Sequence, residues 1–115
     1  MPQNEKRKHK RINSLNLSYI CLDENNKIVK QGMGRTLNLS ESGILLETHF
    51  PIETEHLVLL TLGLEEDILD IKGKPVHIKA DEKGLHEIGI QFLESDSNTQ
   101  KTLKKFIKAF QKGKV

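Results

Sequence analysis

The chain has 115 residues, of which 36% are hydrophobic and 30% charged, a composition that is typical of one globular domain and excludes a disordered chain. Its net charge of +2 hides a segregation, because residues 1–11 carry +4, residues 101–115 carry +6, and residues 12–100 hold seven basic against 15 acidic residues, or −8. We therefore expect an anionic partner to meet the basic ends, although terminal lysines can also serve solubility alone.

Residues 1–11 are polar and basic and show no apolar periodicity, which predicts a flexible arm. Leu15, Leu17, Tyr19 and Cys21 then recur at every second position, the period of a strand with one buried face. Further strands are predicted at residues 28–39, 44–48, 56–62, 68–80 and 87–92, with turn-forming segments between them. Short strands at this spacing favour an antiparallel sandwich or barrel.

The last segment changes from strand to helix periodicity. Four apolar residues share one helical face: Leu103, Phe106, Ile107 and Phe110. Ser97 and Gln100 fit a capping box at the start of this helix, and Gly113 fits its end. We therefore predict a mainly β domain, with a six-stranded antiparallel barrel of Greek-key or split type over residues 12–94. An amphipathic helix over residues 95–112 packs against that barrel.

The single cysteine, Cys21, cannot form an internal disulfide, and its place in an alternating strand predicts burial. A reducing compartment is the natural inference. The N-terminus lacks the apolar core of a signal peptide, and the apolar run at residues 57–60 is too short to span a bilayer. We therefore expect a cytoplasmic location without membrane insertion.

Two local patterns are explained by neither strand nor helix periodicity. The basic arm holds an R-x-x-x-R motif at Arg7 and Arg11, and an N-x-S-x-x-G motif at Asn38, Ser40 and Gly43 lies between two predicted strands. The chain resembles the PilZ domain family in four features taken together. These are the order of the two motifs, the strand pair between them, the glycine-containing strand at residues 88–92 and the terminal helix. Each motif alone is weak, whereas the combination is considerably more specific.

The resemblance implies a bacterial receptor for the second messenger cyclic di-GMP, with no catalytic activity, metal or cofactor. It implies ligand-binding roles for Arg7, Arg11, Asn38, Ser40 and Gly43. Lys6 directly precedes the first arginine, and His77 lies where the family often has an aromatic residue, so both are predicted as additional contacts. An exposed strand histidine without a ligand role is the alternative for His77. A downstream protein partner of unknown identity is also expected.

The chemistry of these residue types suits that ligand. An arginine fork matches both the O6/N7 edge of guanine and phosphate oxygens, so two arginines on an arm can clamp a cyclic dinucleotide. Asn38 offers amide donors and an acceptor, and Ser40 offers a short hydroxyl. Gly43 supplies either a positive φ or room for close approach. We therefore expect the ligand to be held between the basic arm and the N-x-S-x-x-G motif.

Other interpretations of these residues remain open. The arginines can belong to a solvated tail, and the N-x-S-x-x-G residues can be ordinary turn formers. An enzyme has little support, because the five histidines lack metal-binding spacing and no carboxylate pair is marked. A nucleic-acid-binding barrel is the main alternative, disfavoured by four phenylalanines, one tyrosine and no tryptophan and by the acidic body. A PilZ-like adaptor without a ligand is the third possibility.

Overall fold

The computed structural model describes residues 16–64, 66–93 and 95–113. Its elements follow in the order β1 (Asn16–Leu22), β2 (Ile28–Leu39), β3 (Gly43–Thr48), β4 (Leu57–Leu64), β5 (Asp67–Ala80), β6 (His86–Phe92) and α1 (Ser97–Gly113). The strand bounds lie within two residues of those predicted from apolar alternation. The arm over residues 1–11, with Lys6, Arg7 and Arg11, lies outside the described residues.

The six strands form a closed antiparallel barrel in the spatial order β1-β2-β3-β6-β5-β4, and β4 pairs back with β1. Because β4, β5 and β6 are consecutive hairpins and β3 lies beside β6, these four strands make a Greek key. Closure leaves no strand edge exposed among them. The predicted fold class, a six-stranded antiparallel barrel with a C-terminal helix, is confirmed.

The barrel interior is filled by every second residue of the strands. Leu17, Tyr19 and Cys21 of β1 are at most 2% exposed, as their alternation predicts. Burial raises the pKa of the Cys21 thiol, so this cysteine is kept in its neutral, unreactive form. The core therefore depends on side chains that point inward from a closed wall, with Ile52 of the β3–β4 connection joining them.

The helix α1 contributes its predicted apolar face to the same core. Leu103, Phe106 and Phe110 are at most 3% exposed, and Ile107 is partly buried against them. The helix packs against β5, and Lys105 Nζ donates to Asp67 Oδ2 at 2.7 Å, at the first residue of β5. We call this end of the barrel, where β1 begins and β2 ends, the motif end.

The start of α1 differs from the predicted capping box. Asp96 Oδ1 accepts a hydrogen bond from the Thr99 backbone N–H at 2.8 Å, so Asp96 caps the helix, one residue before Ser97. The Gln100 side chain donates to Ser95 Oγ at 2.6 Å. The prediction of Ser97 as the cap was therefore wrong by one position. Within the residues described here, no helix is long and apolar enough to cross a membrane.

Candidate functional site

The β2–β3 hairpin is shaped by the serine of the N-x-S-x-x-G motif. The Ser40 backbone N–H donates to the Gly43 carbonyl at 2.9 Å. Ser40 Oγ accepts hydrogen bonds from the backbone N–H groups of Ser42 at 3.3 Å and Gly43 at 3.2 Å. One hydroxyl thus organises the loop, which is the turn chemistry expected of serine. Its position at the motif end of the barrel also places it beside a cavity.

Gly43 is required because a neighbouring strand lies close to it, and not because of its backbone conformation. The positive-φ residues of the described chain are Asn26 and Gly84, so Gly43 is not among them. A Cβ added at Gly43 would overlap the carbonyl oxygen of Ile90 on the neighbouring strand β6. Of the two roles predicted for this glycine, the structure supports the missing side chain, which lets β3 and β6 lie close together.

Four outward positions align across the barrel wall and form a row, which we call the outer row. Asn38 of β2 pairs with Leu45 of β3, Leu45 with Gly89 of β6, and Gly89 with His77 of β5. Neighbouring strands lie about 4.8 Å apart, so the row spans roughly 14 Å. The glycine in its third position has no side chain, and the gap between Leu45 and His77 is narrow and closely bordered by His77, whose Cβ lies 3.2 Å from where a Cβ of Gly89 would be.

Two β-bulges set this alignment. The β2–β3 register shifts between Thr36 and Asn38, and the β5–β6 register shifts between Pro75 and His77. Each bulge inserts one extra residue and re-aims the side chains that follow it. Asn38 and His77 directly follow the bulges, so both owe their place in the outer row to them.

A cavity of about 370 Å³ lies on this outer wall at the β2–β3 hairpin, and we call it the motif cavity. Its lining combines hairpin residues with residues from β5 and β6: Asn38, Leu39, Ser40, Ser42, Gly43, Ile44, Leu45, Val76, Gly89, Ile90 and Gln91. All three residues of the N-x-S-x-x-G motif are present. His77 is not a lining residue but lies beside one, because its Cβ and two of its ring atoms lie 3.2 to 4.0 Å from where a Cβ of Gly89 would be.

The motif cavity has a mixed lining, more apolar than polar, and contains no charged lining residue. Asn38 Oδ1 accepts a hydrogen bond from the Leu39 backbone N–H at 3.0 Å, which leaves the amide NH₂ group to donate elsewhere. Gln91 adds a second amide at the opposite side of the hairpin. On the same two strands, β2 and β3, Arg35 Nε and Glu47 Oε1 form an ion pair at 3.2 Å. The cavity can therefore orient a ligand by hydrogen bonds, whereas an anionic ligand needs its countercharge from elsewhere.

The structure brings the predicted barrel residues Asn38, Ser40 and Gly43 together and sets His77 at their border. The sequence reasoning missed the lining role of Gly89, Gln91 and Val76. A glycine in the middle of an alternating strand was the available signal for Gly89, because it marks a place where something approaches the sheet closely.

A second cavity, of about 590 Å³, lies against the start of α1 and the outer faces of β1, β4 and β5. It is larger, but its lining includes no motif residue; Thr61 Oγ1 and Asp70 Oδ1 within it already bond to each other at 2.8 Å. The described residues contain no group of three histidine, cysteine or acidic side chains suited to a metal ion. The motif cavity is therefore the better candidate site.

Comparison with known proteins agrees with the barrel fold. The family model described as PilZ domain matches residues 5–109. The PilZ domain of CeSA from a cellulose synthesizing bacterium aligns with a TM-score of 0.60 at 11% identity, over 84% of this chain and 93% of that one. MrkH of K. pneumonia in its apo state aligns with a TM-score of 0.59 at 16% identity, over 86% of this chain and 48% of that one. The chain thus spans about half the length of MrkH. No curated protein matches significantly.

Proposed function

The chain belongs to the PilZ domain family, and from that premise we propose that it is a cytoplasmic, non-catalytic receptor for cyclic di-GMP. The observation that carries the proposal is the assembly of Asn38, Ser40 and Gly43 in one cavity on the outer wall of the barrel. Cyclic di-GMP offers two guanine edges and two phosphodiesters, so it needs amide donors and cations together. The motif cavity supplies the former.

The outer row offers a surface for a purine base. Gly89 lies between Leu45 and His77 and has no side chain, so a flat ring placed over it would contact the neighbouring His77 side chain. Val76 and Leu45 give apolar contact, while the His77 imidazole can stack at the border. The free amide group of Asn38 can donate to guanine O6 or N7. These contacts select a purine by shape and edge.

The countercharge comes from Arg7 and Arg11 of the N-terminal arm. Arg11 is five residues before Asn16, a length of chain that reaches up to about 17 Å when extended. Asn16 pairs with Arg35, which is three residues before Asn38 on the same strand, or about 10 Å along it. Arg11 is thus close enough in sequence to meet a phosphate bound at Asn38, and Arg7 and Lys6 have still longer reach.

Ligand binding would tie the basic arm to the barrel and so change the surface that a downstream protein meets. Ordering the arm costs conformational entropy, which consumes part of the contact energy. We therefore expect micromolar or somewhat tighter affinity. Trypsin provides the test, since Lys6, Arg7, Lys8, Lys10 and Arg11 are cleavage sites. Saturating cyclic di-GMP should slow cleavage there, GMP should not, and equal rates with bound ligand would exclude arm ordering as the switch.

Calorimetric titration tests the assignment of the ligand itself. We expect cyclic di-GMP to bind, with GMP and a short single-stranded oligonucleotide as controls that bind far more weakly. Oligonucleotide binding at equal or higher affinity would instead favour the nucleic-acid-binding barrel. Absence of binding to all three would leave the fold as a protein adaptor and refute the receptor function.

A further inference from the structure

The exposed face of α1 carries an uninterrupted line of positive charge. Its members are all exposed: Lys101, Lys104, Lys105, Lys108 and Lys112. At 3.6 residues per turn, these positions fall within about 100° of arc on the side opposite the buried apolar face, and they extend over roughly 17 Å. The helix contains no acidic residue. We call this feature the lysine stripe.

The lysine stripe brings like-charge repulsion to the helix that carries it, although Lys112 in the last turn is favourably placed for the helix dipole. Like charges three and four residues apart on a helix repel each other, and the effect is destabilising. Lys105 bonds to Asp67, but the ion pairs recorded among the described residues include none from Lys101, Lys104 or Lys108. The buried face holds α1 in place despite this repulsion. Repulsion among these lysines therefore counts against the stability of the fold.

We propose that the lysine stripe is a docking surface for an anionic lipid bilayer. The protein would bind this bilayer peripherally, through electrostatic attraction. This inference does not depend on the proposed function. Because Leu103, Phe106 and Phe110 are at most 3% exposed, the apolar face of the helix cannot insert into lipid while the domain is folded. Attachment is thus reversible and sensitive to salt.

The chemistry of the stripe favours a bilayer over a nucleic acid or a protein. All five members are lysines, whose compact, hydrated charges lack the fork by which arginine makes oriented contacts with phosphate or carboxylate. The exposed face carries no aromatic side chain on which a base can stack. It also carries no large apolar side chain to anchor a protein interface. A diffuse anionic surface requires none of these features.

Charge complementarity also restricts the orientation of docking. Residues 12–100 carry −8, whereas residues 1–11 carry +4 and residues 101–115 carry +6, so an anionic surface attracts the two basic ends, the helix end most strongly, and repels the barrel. Near an anionic bilayer, each lysine contributes about a fivefold gain in partitioning. Three stripe lysines together then correspond to roughly 10-fold to 150-fold, depending on ionic strength.

Vesicle co-sedimentation of the full chain tests the proposal. One variant replaces Lys101, Lys104 and Lys108 with glutamine, and a charge-matched control replaces the exposed Lys27, Lys79 and Lys83, which lie on the barrel strands and turns away from α1. Vesicles contain either phosphatidylcholine alone or phosphatidylcholine with phosphatidylglycerol. We expect the parent to bind only the anionic vesicles, the stripe variant to bind at least about 10-fold more weakly, and the control to lose less than about threefold.

Thermal melting separates docking from folding. The stripe variant should melt at the parent's temperature or above it, because like-charge repulsion is relieved. Equal losses in the two variants would mean that net charge alone acts, and would overturn the proposal. Binding of the parent to neutral vesicles, or its failure to bind anionic vesicles at low salt, would overturn it too. So would stripe-dependent binding to polyglutamate or single-stranded DNA that exceeds binding to the anionic vesicles.

Discussion

Alternate residues of β6 meet opposite requirements. Ile88 and Ile90 point into the barrel and are 0% and 2% exposed, whereas Gly89 and Gln91 point outward and line the motif cavity. Inside, a side chain has to fill space at close-packed density. Outside, in the proposed function, the glycine leaves room for a ligand to approach the sheet. If that proposal holds, stability and binding are carried by neighbouring residues of one strand, so mutations should separate them.

The largest expected effect is a loss of stability when a side chain of the buried core is removed. Phe106→Ala removes a ring that is 0% exposed, and should reduce the free energy of unfolding by about 3–5 kcal/mol, a large share of a small domain's stability. Urea denaturation measures this loss. The matched control is Phe50→Ala, because the Phe50 ring is 65% exposed and its loss should cost little. A Phe106→Ala protein that melts within a degree or two of the parent would contradict the account of the inner face.

Substitutions in the arm should weaken ligand binding and leave the stability of the domain unchanged. Arg7→Ala and Arg11→Ala each remove one of the charge-assisted contacts that the proposed function assigns to the arm, and should weaken cyclic di-GMP binding by about 10-fold to 150-fold. Thermal stability should hardly change. Lys8→Ala removes the same charge without an arginine fork and serves as the control in calorimetric titration. The role of the arm is wrong if either arginine variant binds as tightly as the parent.

Gly89 allows the comparison to be made within a single strand. Gly89→Leu places a side chain in the gap of the outer row, and should weaken binding at least about 10-fold. Its Cβ would lie 3.2 Å from His77 Cβ, a close contact that a small shift of an exposed residue relieves. The unfolding free energy should therefore change by less than about 1.5 kcal/mol.

The control for this variant is Glu87→Leu, two residues earlier on the same outward face and outside the motif cavity. Calorimetry should find its affinity unchanged. If Gly89→Leu binds normally, or if both variants lose affinity equally, the gap at Gly89 is no part of the ligand site.

Ser40 should contribute to both stability and ligand binding, with a smaller effect on each. Ser40→Ala removes the acceptor for the Ser42 and Gly43 backbone N–H groups, and should cost about 0.5–1.5 kcal/mol of stability. Affinity should also fall, because the hairpin loses the hydroxyl that shapes it. Parallel melting and titration curves measure the two losses. An unaltered titration would remove Ser40 from the site and leave it a turn residue.

The smallest effect is a pH dependence at the helix cap. The hydrogen bond from the Thr99 backbone N–H lowers the pKa of Asp96. A folded-state pKa below the unfolded value means that the cap stabilises above about pH 4 and that this contribution is lost as the pH falls through the lower folded value. Asp96→Ala should therefore lower the melting temperature at neutral pH and lower it less in acid. Asp96→Asn keeps the cap without titrating, and a pH-independent deficit for the alanine variant would contradict the assignment.

Apolar periodicity was sufficient to predict most of the fold. The alternation of Leu17, Tyr19 and Cys21 marks the buried face of β1 directly, and the spacing of Leu103 and Phe106 marks that of α1. Such patterns report which side of an element is buried. They do not show which of two adjacent polar residues caps a helix, and the capping-box spacing to Gln100 favours Ser97 although Asp96 is the cap.

The site was less predictable, because it depends on which residues of different strands become neighbours. The motif indicated Asn38, Ser40 and Gly43, but the place of Gly89 beside Leu45 and His77 follows from the barrel order and the two bulges. A bulge shifts register by one residue. Period-two alternation does not show where that shift occurs, so the outer row emerges only from the folded barrel.

The central claim is that the outer wall at the β2–β3 hairpin binds cyclic di-GMP, and a ¹⁵N–¹H NMR titration of the 13.1 kDa protein tests it most directly. Ligand should shift the backbone amides of residues 38–45, 76–77 and 89–91, and leave the β5–β6 turn at residues 81–85 unchanged. Shifts concentrated around Thr61, Asp70 and Thr99 of the second cavity, or no shifts at ligand concentrations well above micromolar, would contradict the claim.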